Sequence, residues 1–361
     1  MMAAASDVYF VAVENDTSAD ERVRRLGLLI DKSGLSSMIA PGSTVCIKMH
    51  FGEAGNTGFV PPALVRVITD TVGTSGGSSV CTDTNTLYRG RRTNSNDHAA
   101  LAREHGFDES ATGARLYIPD DREPDVAMAL SGAGRLAGTV HSFRFFSEVD
   151  LLIGLAHFKG HMVTGFGGAL KNIGMGCATR EGKLSQHCAV APFVNEKNCI
   201  GCGACSDVCP ADAVAITAGK AAIDPQRCIG CASCIAACGS NAVELDWGSG
   251  AGNMSEKMVE YAAAILKAAK KTFFISIAQH ITAECDCIAG DDPRIIPDIG
   301  YCASTDPLAL DQACYDLSCM AAGGHDPYRK AHRWRNPVAQ LDHAEQLGIG
   351  SRAYSLVKVA V

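Results

Sequence analysis

The chain has 361 residues, room for two or three folding units and a sizeable buried core. Hydrophobic residues at 47%, charged residues at 20% and a net charge of -7 exclude a disordered chain and a default nucleic-acid binder. No run of about 18 apolar residues occurs, which argues against a membrane span. The start Met-Met-Ala-Ala-Ala-Ser-Asp has no basic n-region, and 17 cysteines, an odd number, suit a reducing compartment; a cytoplasmic location is expected.

Through the first 195 residues short β-rich runs alternate with helical patterns, as in an α/β unit. Val8–Val13 and Thr44–Met49 read as strands, with a helix between them capped by Ser18 and carrying Asp20 and Glu21 in its first turn. Pro61 and Pro62 open a second helix, Gly76 and Gly77 end it, and a strand follows at Ser79–Thr82. Ser95–His105 reads as a helix, with strands near Ala114–Ile118 and Asp150–Ala156. The pattern stops near Asn195 and resumes near Ser249. There follow a helix from Asn253 to about Lys270, a strand at Thr272–Ala278, a helix opened by Asp306 and Pro307, a last helix to Leu347, and a closing strand at Tyr354–Val359. The expected fold class is α/β, a mixed, mainly parallel sheet with flanking helices, divided into residues 1–194 and 249–361 by an α+β insert at 195–248.

The insert carries Cys199-x-x-Cys202-x-x-Cys205-x-x-x-Cys209-Pro210 and, 29 residues later, Cys228-x-x-Cys231-x-x-Cys234-x-x-x-Cys238. Ile200 matches Ile229, Gly201 matches Gly230 and Val214 matches Val243, an internal repeat. Tight spacing with glycine lets three thiolates face one cubane while the fourth swings to the other cluster. One [4Fe-4S] cluster is therefore expected on Cys199, Cys202, Cys205 and Cys238, and a second on Cys228, Cys231, Cys234 and Cys209. A pair of zinc sites is the alternative, but zinc modules rarely repeat this run of four. The stretch from Asn195 to Trp247 resembles the bacterial two-cluster ferredoxin fold, with one departure: Gly239 stands where a proline usually follows the fourth cysteine.

The remainder resembles the domain of unknown function 362 family, in the subgroup often labelled iron-sulfur center proteins. The matching segments are Lys48-Met-His-Phe-Gly-Glu-x-Gly-Asn56, Thr82-Asp-Thr-Asn-Thr-Leu-Tyr-x-Gly-Arg91, His157-Phe-Lys-Gly-His161, Gly165-Phe-Gly-Gly-Ala-Leu-Lys-Asn172 and Cys285-Asp-Cys287. The resemblance implies a fold and a two-part design, and little chemistry.

Read from the residues, His157, Lys159 and His161 stand at even steps after an apolar strand and face one side if extended. Lys48, His50, Asp83 and His157 all fall at strand ends, where ligands of open parallel sheets bind. His157, His161 and Lys159 are the catalytic candidates. Lys48, His50, Asp83, Arg91, Lys171 and Asn172 are the substrate-binding candidates, with Arg92 beside Arg91. Gly165, Gly167 and Gly168 let the backbone approach an anion while Lys171 supplies charge, or serve only a tight turn. Cys285 and Cys287 could bind an additional metal, act as a redox pair, or sit near a cluster; Cys177, His187 and Cys188 are further candidates for a third metal. Cys46, Cys81, Cys302, Cys314 and Cys319 read as core thiols. With no complete phosphate loop or dinucleotide fingerprint, ATP and NAD are not expected.

These features point to an iron-sulfur oxidoreductase that relays single electrons to a small, anionic substrate in the α/β crevice. Its partners would be that substrate and an electron donor or acceptor protein, with no nucleic acid and no membrane. A ferredoxin-like carrier that docks to a partner protein, and a metal or cofactor maturation factor, are the two alternatives.

Overall fold

The computed structural model describes residues 5–120, 127–187, 191–246 and 253–361. The expected domain boundary near Ser249, Trp247 at the end of the ferredoxin resemblance, and Cys188 lie outside the described residues. Eight strands form the central sheet: β1 (Ser6–Ala12), β2 (Thr44–Lys48), β3 (Ser78–Thr82), β4 (Arg115–Tyr117), β5 (Leu151–His157), β6 (Thr272–Ala278), β7 (Gly300–Ser304) and β8 (Tyr354–Lys358). Their order across the sheet is β8-β1-β7-β6-β5-β2-β3-β4. Only β7 runs against the rest, antiparallel to both β1 and β6, so the sheet is mixed and mainly parallel.

The inner strands read as continuous apolar runs because both faces of the sheet are covered. Every residue of β5 and of β7 is buried. Successive side chains alternate between two cores. Leu152 of β5 and Phe274 of β6 enter one core, beneath the helices Ala169–Gly174, Met254–Ala268 and Pro307–Ala321. Leu151, Ile153, Phe273 and Ile275 enter the other, beneath the helices Ala19–Ser33 and Pro62–Thr74. The helix starts follow from local chemistry. Ser18 accepts from the Glu21 amide at 3.3 Å, and Asp306 accepts from Leu308 and Ala309 ahead of Pro307.

Strand β7 was not among the expected elements. Its first residue, Gly300, has φ 144° and presses so close to β1 that a Cβ would meet the Val11 carbonyl oxygen at 2.0 Å.

The cysteine-rich stretch forms its own small unit. Phe193–Val194 pairs antiparallel with Val243–Glu244, and Val214–Thr217 with Lys220–Ile223, beside the short helices Ala204–Asp207 and Ser233–Ala237. The repeat in sequence is a repeat in backbone. Asn195 N–H donates to the Ala242 carbonyl at 2.7 Å and its counterpart Asp224 to Ala213 at 2.8 Å. Gly203 and its counterpart Ala232 both take the left-handed conformation, as do Asp212 and Asn241. Among the described residues no helix is long and apolar enough to cross a membrane.

Candidate functional site

The eight repeat cysteines are free thiols gathered as two sets of four. Cys199, Cys202, Cys205 and Cys238 line one small cavity; Cys209, Cys228, Cys231 and Cys234 line another. In each set the fourth cysteine of one repeat joins the first three of the other. The sulfurs also receive backbone donors in matched places: the Ala213 amide donates to Cys209 Sγ at 3.2 Å, and the Ala242 amide to Cys238 Sγ at 3.1 Å. Four soft ligands per cavity, with amide hydrogens aimed at sulfur, are a donor set that fits an iron-sulfur cluster. The corner at Gly239, where the proline is absent, is held from outside: Arg89 Nη1 donates to the carbonyls of Cys238 and Gly239.

A second site lies at the carboxyl ends of β2, β3 and β5, a cavity of about 580 Å³. Its floor is a buried ion pair: Lys48 Nζ sits 3.0 Å from Asp83 Oδ1 and also donates to Asn172 Oδ1 and the Met49 carbonyl, each at 3.0 Å. Burial alone would raise the Asp83 carboxyl, but Lys48 foremost holds it well below the usual carboxylate range. Arg92 joins from the side, 3.0 Å from Glu53 and 2.8 Å from the His50 ring, and burial with this neighbour keeps His50 neutral at physiological pH.

The opposite wall is organised by Asp286, the residue between Cys285 and Cys287. Its carboxylate contacts His157 Nδ1 at 3.0 Å and Lys159 Nζ at 2.9 Å. Against the effect of burial, those two neighbours hold Asp286 well below its usual range. His157 Nε2 faces the Gln279 carbonyl at 2.8 Å. Both His157 nitrogens are thus committed to protein acceptors, at odds with the expectation that it is a catalytic group with a nitrogen open to the crevice. His161 is different: its Nδ1 accepts from the Val163 and Thr164 amides at 3.2 and 3.1 Å, leaving Nε2 unengaged by any protein partner among the described residues.

Gly160 brings that histidine into place. A Cβ there would meet the Ala283 carbonyl oxygen at 2.3 Å, so only glycine lets the strand Lys159–His161 lie flat on the segment leading to Cys285. As a result His161, Cys285 and Cys287 offer ligand atoms all within 4.8 Å of one another, a candidate metal site. In this structure the two cysteines are joined as a disulfide.

The Gly165–Asn172 segment corrects the second expectation. The amides of Ala169 and Leu170, at the N-terminus of the helix Ala169–Gly174, are already taken by a protein anion, the buried Asp311 carboxylate, at 2.7 and 2.9 Å. Gly168 is needed because a Cβ would meet Asp311 Oδ1 at 2.2 Å. Gly168 thus serves a protein carboxylate, while Gly165 packs on Pro337, and of this segment Gly167, Gly168, Lys171 and Asn172 line the cavity. Burial, aided by the nearby Lys159 charge, pushes Lys171 down to about 7, and among the described residues it has no hydrogen-bond or carboxylate partner.

Arg91 is the third correction. It is exposed and paired with Glu104 at 2.7 Å, outside the cavity, while Arg92 points in. Cys177 is a core thiol, pushed up to about 12 by burial, and not a ligand candidate; Cys46, Cys81, Cys302 and Cys314 are buried as expected, and Cys319 is half-buried. Lys183 and His187, on the helix Arg180–His187, also line the cavity. Sequence reasoning missed Lys183, whose only signal is its place three residues after Arg180 on that helix.

Residues 45–316, a span holding both cysteine sets and the crevice lining except Arg335, match the family described as "Domain of unknown function (DUF362)". The chain belongs to the DUF362 family. Two solved structures are similar to this DUF362 protein. One is a protein from Thermotoga maritima, 10% identical with a TM-score of 0.43, covering 87% of this chain and 61% of that one. The other is the lactate racemase apoprotein from Thermoanaerobacterium thermosaccharolyticum, 11% identical with a TM-score of 0.44, covering 86% and 57%. The chain spans less than two thirds of the length of either. No curated protein matches it.

Proposed function

We propose that this DUF362 protein is a cytoplasmic iron-sulfur oxidoreductase, with a ferredoxin-like insert at residues 195–248, that passes single electrons to a small anionic substrate in the crevice. One [4Fe-4S] cluster would be held by Cys199, Cys202, Cys205 and Cys238, the other by Cys209, Cys228, Cys231 and Cys234. Bound there, the clusters supply one-electron transfer. The electrons would be exchanged with a donor or acceptor protein.

The observation that carries the reading is a shared wall. Leu87 lines the crevice and also packs into the apolar core built around Cys199, Cys205, Cys234 and Cys238. Leu184, in that same core, sits one residue after the crevice-lining Lys183. The cysteine-lined core and the crevice thus share side chains, a proximity that suits electron delivery from one to the other.

Charge supports an anionic substrate. Lys48, Lys159, Lys171, Lys183, Arg92 and Arg335 line the crevice, where Asp83 is the lining carboxylate among the described residues, and Asp286 pairs with the lining residues His157 and Lys159. In a partly dry cavity such an excess attracts anions far more strongly than it would in bulk water. Lys171 binds and orients the anion, Asp286 holds His157 and Lys159 in place, and Lys48 with Asp83 fixes the floor.

Strictly anaerobic purification followed by iron and acid-labile sulfide analysis tests the reading. About eight of each per chain is expected. Zinc in place of iron, with no sulfide, would overturn it.

A further inference from the structure

We propose that Cys285 and Cys287 are a redox-active disulfide/dithiol pair that stores two electrons between the clusters and the crevice. The inference deepens the oxidoreductase reading and rests on it for the source of the electrons.

Three observations place the chemistry. Both cysteines line the crevice, so a bound molecule can reach their sulfurs. They flank Asp286, and hydrogen bonds pin the turn on both sides: the Glu53 amide donates to the Asp286 carbonyl at 2.9 Å and Tyr88 Oη to the Cys287 carbonyl at 3.1 Å. The sulfurs are therefore held together whether or not the bond between them is made. Third, His161 presents the wrong face for a metal. A metal-bound histidine usually donates its other ring N–H to an acceptor. Here the other nitrogen, Nδ1, instead receives two backbone N–H groups, which can only donate. Thr164 Oγ1 also contacts Nδ1, at 3.0 Å, and with two amides donating to that nitrogen the tautomer that satisfies them carries the ring proton on Nε2. His161 offers the sulfurs a hydrogen-bond donor, suited to a thiolate as it leaves a broken disulfide, rather than a lone pair for an ion.

The step balances within the site. The S–S bond would break and two S–H bonds form with two electrons, which the clusters would supply one at a time when bound, and two protons from water in the crevice. On reoxidation the dithiol returns two electrons and two protons to an oxidised anion bound beside Lys171, and the S–S bond re-forms. Carriers that move electrons one at a time are thereby matched to a substrate that takes them in pairs.

The test is an anaerobic reductive titration of the full, iron-loaded chain beside the double variant Cys285→Ser, Cys287→Ser, with metal analysis of both. The wild type should take up about four electrons per chain and the variant about two, since each cluster accepts one and the disulfide two. Maleimide labelling of the wild type alone, read by peptide mass, should mark both cysteines after reduction and neither before. Equal uptake by the two iron-loaded proteins, labelling of both cysteines before reduction, or a further metal lost with the variant would overturn the inference while leaving the oxidoreductase reading in place. A chain without iron or sulfide would instead overturn that reading, and the pair would still be scored by its two-electron uptake and its labelling.

Discussion

The cysteine sets and the crevice are built in opposite ways. All eight repeat cysteines lie within 199–238 at a fixed period, so each set is assembled by neighbours and by one swap between two copies of the same turn. The crevice gathers Lys48, Asp83, His157, Lys171 and Cys285 from strand ends and loops distributed over most of the chain. Local spacing can encode a soft-ligand cage, because three thiolates need only a curled backbone. A charged cavity needs the whole sheet to be closed before its groups meet.

Removing ligands should produce the largest effect and test the swap directly. Cys209→Ser with Cys228→Ser removes ligands from one set and should cost about half the iron. Cys209→Ser with Cys238→Ser strikes both sets and should cost nearly all of it, as read by iron and sulfide analysis. Equal losses in the two pairs would mean that each repeat binds its own cluster.

In the crevice the largest expected effect is on stability. Lys48→Met leaves the Asp83 carboxylate buried without its ammonium partner. Denaturant unfolding should show a loss of about 3–5 kcal/mol, the range for breaking one side of a buried pair. A loss too small to resolve would mean that water replaces the lysine.

Smaller again is the effect of pH on anion binding. Lys171 is charged below about 7 and neutral above it. Affinity for sulfate, whose own charge is constant in this range, should therefore fall as pH rises through about 7. Lys171→Met should bind weakly throughout and lose that dependence, by calorimetry. Arg91→Ala, remote from the cavity, should change sulfate affinity by less than about twofold.

The same contrast explains what the sequence made legible. Strand β6 was read to the residue and helix starts at Ser18, Pro62 and Pro307 were visible, because each rests on chemistry within a few positions. The pairing of cysteines across repeats was legible for the same reason. Asp311 was not: its role depends on meeting amides at Ala169 and Leu170, far away in the chain. The locking of His157 depends in the same way on Asp286. Arg91 and Arg92 show the limit most sharply, since adjacent identical residues point one to solvent and one into the crevice, and composition carries no sign of which.

The placement of the cysteine-rich unit also bears on how the molecule is made. The sheet's central seam joins Leu152 to Thr272 and Ile153 to Phe273, with the entire unit in the connection between them. Closing so long a connection is slow, and more so while its interior remains a loose chain. A unit drawn compact around filled thiol sets shortens the effective tether and lets β6 find β5. If the sets hold the proposed clusters, cofactor loading would come ahead of sheet closure. On that reading, chains made without iron would keep the seam unjoined and present Phe273, Phe274 and a bare strand edge to aggregation and to proteases.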